Sequence, residues 1–242
     1  MPKYVLHYFD VRARGELIRL VLTVAGQDFE DHRFSFEEFA KFKPGYVSGQ
    51  VPVLEVDGKQ MNESLAIAKY VAREYGSYYG LKSNLGHFLY LLFCVLLKLR
   101  KLPASQAEKQ TRLCGKTNLD QYYVDRVLGA CTDLFTKYVE VFFAKDDATR
   151  SELQKKMGEE HIPRFLKLFS EYLKENTNGK SDFFVGNSGS IADLAVHDLL
   201  TSLIQKDEKL LDKYPTLKAN RAATEALPNI KAYLDKRPKK DI

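Results

Sequence analysis

The stretch from Gln50 to Gly76, Q-V-P-V-L-E-V-D-G-K-Q-M-N-E-S-L-A-I-A-K-Y-V-A-R-E-Y-G, leaves little freedom for whatever surrounds it. Val51, Val53, Leu54 and Val56 form an apolar, β-rich run, and Asp57-Gly58 is a strong two-residue hairpin turn. The return strand reaches Met61. Ser64 then stands before a helical pattern with Leu65, Ala68 and Ala72 and also Ile67 and Val71 at apolar positions, and Gly76 is its stop. Pro52 has no amide hydrogen to give a ladder, so the Val51-Pro52 junction belongs at a strand start or edge, leaving the Val51 amide and carbonyl for a ligand. Glu63 and Ser64 fall at a helix N-terminus, where free amides and the helix dipole attract a carboxylate and where Glu63 can meet an ammonium group. A ligand with an amino-acid head and a peptide-like middle fits both features.

Upstream, Tyr4 to Phe9 reads as a strand. Arg14 onward reads as a helix with Leu17, Ile18, Val21, Leu22 and Ala25 on one face, ended by Gly26, and Phe29 to Phe34 as a second strand. Strands joined through a helix are normally parallel, so this is a compact α/β unit. Tyr8 lies at the C-terminal end of the first strand, where open α/β folds gather ligands. Taken alone it is a strand tyrosine that packs, and Arg12 and Arg14 are solvated charges. Downstream of Asn118 the pattern is helical throughout: Val124, Val127, Leu128, Cys131, Leu134 and Phe135 keep helical spacing, as do Phe165, Leu168, Phe169, Tyr172 and Leu173. Ser190 and Asp193 form a capping box that opens a buried helix, with Gly189 in place of an apolar residue before the cap.

A chain of 242 residues, 45% hydrophobic, can build one large domain or two small ones without staples. Cys94, Cys114 and Cys131 form no C-x-x-C pair and no metal spacing, which suits a reducing compartment and argues against disulfide exchange. Met1-Pro2-Lys3-Tyr4 lacks the regions of a signal peptide, so a cytoplasmic address is expected. The net charge of +5 does not describe a basic surface. Residues 1–76 carry ten Lys/Arg against eleven Asp/Glu and residues 113–242 carry twenty-one against twenty, so the excess comes from residues 77–112, with six basic residues and Glu108 alone opposed. Nucleic acid is not an expected partner.

The run V-P-V-L-x-x-x-G, followed by an acid or amide plus Ser before A-I-x-x-Y, resembles the glutathione-binding motif of the cytosolic glutathione transferases, and most nearly that of the sigma class as found in nematodes. F-D-V-R-A-R-G-E is similar to the family's F-x-x-R-G-R-A-E with its small residues exchanged at Ala13 and Gly15, and F-F-V-G-N-S-G-S-I-A-D-L-A resembles its C-terminal signature. The resemblance implies a thioredoxin-like α/β N-terminal domain over residues 1–76 and an all-α helical bundle over residues 113–242. It implies that Tyr8 donates a hydrogen bond to the glutathione sulfur: a phenol of pKa about 10 stays protonated while a thiol of pKa about 8.5 ionises beside it. Arg14 would support Tyr8 electrostatically. Reduced glutathione would lie along Gly49, Gln50, Val51 and Pro52, with its ends held by Lys43 and by Glu63 and Ser64. Phe39 stands where the class usually carries tryptophan, and the chain has no Trp, so one donor to the ligand carboxylate is missing and weaker binding is expected. Asp133, alone a solvated helix aspartate, matches the position whose carboxylate reaches across a homodimer to the neighbouring glutathione. Gly129 and Thr132 occupy positions where some relatives place acids that bind a divalent ion, so no metal is expected.

Residues 77–112 fit nothing in the family, and excising them leaves 206 residues, a length typical of the class. They read as an insert at the linker. Phe88 to Leu97 is an apolar run too short for the roughly 20 residues that span a bilayer. It is an extra buried helix, a basic surface-seeking segment, or translated non-coding sequence. The function implied is conjugation of glutathione to hydrophobic electrophiles held between the domains. A glutathione-dependent prostaglandin isomerase and a non-catalytic, crystallin-like relative are the alternatives.

Overall fold

The computed structural model describes residues 2–76, 113–176 and 181–238. The insert expected over 77–112, with Cys94 inside it, and the end of the basic tail at Lys239 and Lys240 lie outside the described residues. The chain begins with β1 (Tyr4–Phe9), α1 (Ala13–Val24) and β2 (Phe29–Phe34), the two strands pairing in parallel from Tyr4 opposite Phe29 to Phe9 opposite Phe34. A short α2 (Phe39–Phe42) follows, then a 3₁₀ turn, then β3 (Val53–Val56) and β4 (Lys59–Met61), giving the sheet order β2-β1-β3-β4. Asp57 at φ 49° and Gly58 at φ 82° make the expected hairpin turn, with both central residues left-handed as a tight antiparallel return requires. α3 (Ser64–Gly76) closes this half. Gly26, at φ 65°, stops α1 by letting its own amide reach Thr23 O at 3.0 Å and the Gln27 amide reach Leu22 O at 3.0 Å.

Alternation along β1 divides two cores. Tyr4 and Leu6 enter the large core with Ile18 and Leu22 of α1 and Ile67 and Val71 of α3, while Phe9 packs with Phe34, Phe39 and Phe42 under α2. The remaining described elements are helical: α4 (Asn118–Phe142), α5 (Asp147–Lys156), a π turn (Met157–His161), α6 (Ile162–Glu175), α7 (Ile191–Lys206), a 3₁₀ turn (Leu210–Lys213), α8 (Pro215–Glu225) and α9 (Ile230–Lys236). Thioredoxin-like α/β followed by an all-α bundle is therefore the observed architecture.

The bundle is organised by α7, whose first turn is almost wholly buried. Its capping box forms as expected, and the fully buried Asp193 does more than cap. One carboxylate oxygen accepts from the Ser190 amide and hydroxyl, both at 2.7 Å, and the other accepts from the Phe184 amide at 3.0 Å and from Asn220 Nδ2 at 2.7 Å. One side chain thus ties the α7 start to the preceding loop and to α8. Gly189 does lack the apolar side chain usual before such a cap, but a Cβ there would lie 2.5 Å from a Leu227 methyl, so Leu227 fills that space from the far side.

The reading of Arg12 as a solvated charge is corrected. Arg12 is 4% exposed, and its Nη2 donates to Ser202 Oγ at 2.6 Å and to Gln205 Oε1 at 3.1 Å, both on α7. Helical spacing put Arg12 outside the apolar stripe of α1, yet the second domain covers that flank and supplies polar partners. Glu16 and Arg19, on the same flank outside the stripe, are buried as well. Glu16 Oε1 accepts from Tyr233 Oη at 3.0 Å and Arg237 Nη1 at 2.7 Å, and Arg19 Nε donates to both Asp31 oxygens at 3.1 and 3.0 Å.

Replacing Asp193 with alanine removes the shared acceptor from several buried donors, and the expected loss is about 2–4 kcal/mol. Asp193→Asn, which keeps one oxygen, should lose less. Urea unfolding midpoints measure both, and an alanine variant as stable as the parent would contradict the assignment.

Candidate active site

β1 delivers Tyr8 to the point where the chain turns into α1. The ring is 5% exposed and its hydroxyl accepts from the Arg14 amide at 3.1 Å. Burial pushes the phenol up from its ordinary value, while the Arg14 amide and the charges of Arg14 and Arg19 pull it part of the way back. The phenol therefore stays protonated at neutral pH. Because the amide takes a lone pair, the hydroxyl proton is left to donate elsewhere.

The exchange of small residues around Arg14 has a structural counterpart. A Cβ on Gly15 would lie 2.4 Å from a Tyr8 ring carbon, so only glycine admits the ring in this position. Ala13, by contrast, sits at φ 31°, a conformation that favours glycine. The support expected from Arg14 comes through its backbone amide as well as its charge, while its exposed side chain extends to 5.7 Å from the Phe135 ring centroid on α4.

Around the strand β3, the Val51-Pro52 bond is cis and Pro52 is buried immediately before the strand. Among the described residues, no hydrogen bond engages the Val51 amide or carbonyl. Gly49 turns the chain at φ 62°, the Gln50 amide donates to Ser48 Oγ at 3.3 Å, and the Lys43 stem passes 3.6 Å from the place a Gly49 Cβ would occupy. Lys43, Gln50 and the partly covered Gly49 thus share one edge beside Val51. Phe39 is half-buried, its ring centroid 5.2 Å from Phe9 and 5.9 Å from Phe34, and it packs with Val51 against one cluster of Phe34, Tyr46 and Val53. Glu63, at φ 69°, gives its carbonyl to the Ile67 amide at 2.9 Å and leaves the first amides of α3 open, with Ser64 at the first helical position.

Between the two halves lies a cavity of about 300 Å³ into which Arg14, Glu63 and Ser64 project from one side and α4 and α7 from the other. Leu17, Leu65, Leu128, Phe135, Tyr138 and Leu199 make most of its wall apolar. Sequence reasoning placed a pocket between the domains but missed its polar members, Cys131, Asp198 and Ser202. Burial pushes the Cys131 thiol well up, so it supplies no competing thiolate. Tyr8 lies behind the Arg14 segment and is not part of the cavity wall; Asp133 is exposed on α4 and also outside it, although its neighbour Thr132 lines it. Among the described residues no three His, Cys, Asp or Glu side chains are grouped to hold a metal, and no helix is long and apolar enough to cross a membrane.

A four-stranded thioredoxin-like sheet joined to a helical bundle, with an open backbone edge at a cis-proline and an apolar cleft between the halves, is a glutathione transferase architecture. Residues 4–73 match the family model described as glutathione S-transferase, N-terminal domain, and residues 132–237 match the one described as glutathione S-transferase, C-terminal domain. The chain belongs to the glutathione S-transferase family. It is 31% identical over 238 residues to S-crystallin SL11 of Nototodarus sloanii, covering 98% of each chain, and 31% identical over 242 residues to the hematopoietic prostaglandin D synthase of Gallus gallus, covering 100% of each. It is also 30% identical to a probable glutathione S-transferase 7 of Caenorhabditis elegans, covering 98% of each. A solved sigma class glutathione transferase of Fasciola hepatica superposes with a TM-score of 0.74 at 27% identity, over 99% of this chain and 98% of that one. The sigma-class, nematode-like resemblance read from the motifs is thereby borne out.

Gly15→Ala should drive a methyl into the Tyr8 ring and lower stability by about 1–3 kcal/mol. Ala13→Gly relieves a left-handed alanine and should leave stability unchanged or slightly raised. Thermal unfolding of the two variants distinguishes them, and a neutral Gly15→Ala would contradict the tight approach.

Proposed function

We propose that this chain conjugates the thiolate of reduced glutathione to hydrophobic electrophiles. The observation that carries this reading is the Tyr8 hydroxyl: it is buried, protonated, and already receives a hydrogen bond from the Arg14 amide, so its own proton is free for a sulfur anion. Glutathione would run as a short antiparallel strand against Val51 and Pro52, its glycine end toward Lys43, Phe39, Gly49 and Gln50. Its amino-acid head would meet Glu63 and Ser64 at the start of α3. Residues 1–76 then form the glutathione-binding domain and residues 113–242 supply most of the wall against which the electrophile packs, in a cytoplasmic homodimer where Asp133 reaches the partner's glutathione.

The chemistry asked of the protein is modest. A neutral phenol donating to sulfur stabilises the thiolate over the thiol, lowering the thiol pKa without abstracting its proton. The proton leaves to solvent, and the electrophile is held beside the sulfur by the apolar cleft. The S-crystallin and prostaglandin D synthase relatives define the two other outcomes, binding without turnover and isomerisation of a prostaglandin. Retention of Tyr8 with its amide donor favours turnover.

The initial rate of glutathione conjugation to an aryl halide tests the reading. Tyr8→Phe should lower that rate by about 10- to 100-fold, comparable to or below the loss of one preorganised donor to a developing anion. Because the Tyr8 phenol lies above its ordinary value of about 10, the rate should rise with pH through the thiol ionisation and show no fall from Tyr8 ionisation below that point. A wild-type chain without conjugation activity that still binds glutathione would favour the crystallin-like outcome. Phe39→Trp, restoring an N–H donor at the carboxylate end, should tighten glutathione by about 0.5–1.5 kcal/mol in calorimetry.

A further inference from the structure

The cleft wall contains a carboxyl group that the thiolate chemistry does not use. Asp198, on α7, lines the cavity with a side chain only 17% exposed. No hydrogen bond reaches its carboxylate among the described residues. Arg12 Nη1 stands 3.6 Å from Oδ1, beyond hydrogen-bond reach, while Arg12 Nη2 is directed to Ser202 and Gln205. A largely buried carboxyl of this kind is rare, because such groups are normally satisfied by several donors. Asp193, on the same helix, shows the contrast with its four.

The geometry points to Asp198 as a general acid that protonates the oxygen of an α,β-unsaturated carbonyl electrophile as glutathione adds to it. This rests on the conjugation reading above. Sulfur attacks the β-carbon and the C–S bond forms. The π electrons of the alkene shift so that negative charge develops on the carbonyl oxygen, and the carboxyl proton of Asp198 passes to that oxygen. The resulting enol relaxes to the saturated carbonyl, and the Asp198 carboxylate recovers its proton from solvent. An aryl halide needs no such proton, since chloride departs with its own electron pair.

The charged groups around Asp198 pull both ways, and burial decides for the proton. Arg12 faces it from the residue before α1, Glu16 and Arg19 from α1, Arg237 from the segment after α9, Arg221 from α8, Cys131 from α4 and Tyr8 from β1. Burial pushes its carboxyl up to about 7, with the Glu16 carboxylate acting in the same direction against the arginines. The acid form is therefore available below pH 7 and lost as pH rises through it.

The test compares two electrophiles, a medium-chain 2-alkenal and an aryl halide, at saturating glutathione from pH 5.5 to 8.5. In the wild-type chain, the ratio of the alkenal rate to the aryl halide rate should be constant at low pH and fall about tenfold for each pH unit above about 7. In Asp198→Asn the ratio should drop by about 100-fold and lose that pH dependence. A ratio that stays flat with pH in the wild type overturns the role of Asp198 even if the variant fails to fold. Equal losses with both electrophiles in a folded Asp198→Asn overturn it too, and assign the residue to domain docking. A wild-type chain that conjugates neither electrophile overturns the conjugation reading, and the role of Asp198 with it. One that turns over the aryl halide with an unchanged ratio overturns the role of Asp198 alone.

Discussion

Charge burial along α1 is the constraint on which the arrangement depends. Arg12, Glu16 and Arg19 are at most 4% exposed, and each charge taken from water costs several kcal/mol unless it finds good partners. The partners come from four directions: Asp31 on β2, Ser202 and Gln205 on α7, Tyr233 on α9, and Arg237 beyond it. The two domains cannot slide relative to each other without breaking this set. The consequence reaches the site, because Arg14 lies between Arg12 and Glu16 and its amide holds the Tyr8 hydroxyl. The cleft wall is fixed by the same docking, since Arg12 donates to Ser202 and Gln205 on the helix that carries Asp198 and Leu199.

The two halves of the cleft divide the chemical work by backbone and side chain. The sheet side offers an open strand edge and a helix start, features that recognise peptide-like polarity and depend little on side-chain identity. The bundle side offers Leu128, Phe135, Tyr138 and Leu199, which set volume and shape. A change in one side of such a site leaves the other usable. Family members named as differently as an S-crystallin and a prostaglandin D synthase are similar to this chain over nearly its whole length, which accords with that division.

Much of this was legible in the sequence where local chemistry decides the outcome. Asp57-Gly58, Gly26 and the box of Ser190 and Asp193 each act within a few residues, and each formed where the pattern put it. α1 began at Ala13, one residue early, because no side-chain cap marks its start. What stayed hidden depends on distant chain. Helical spacing cannot tell that Arg12 will be covered by α7, or that Leu227 will occupy the space beside Gly189. The need for glycine at 15 rather than 13 is equally invisible, since it arises from the face of a ring on another element. Asp198 carried no motif at all; only its place on a cleft wall, without donors, distinguishes it from an ordinary helix aspartate.

The Glu16 carboxylate is separated from its partners Tyr233 and Arg237 by 217 and 221 positions. During synthesis at about 5–20 residues per second, that interval lasts on the order of 10–40 s. For most of it residues 1–76 are complete and Arg19 can already pair with Glu16, but Tyr233 and Arg237 are not yet made. Until α9 and the residue after it are made, Glu16 lacks two of the three donors it has among the described residues, and its flank of α1 stays open to water. The carboxy-terminal segment then acts as the closing act of folding for a structure that began more than two hundred residues earlier.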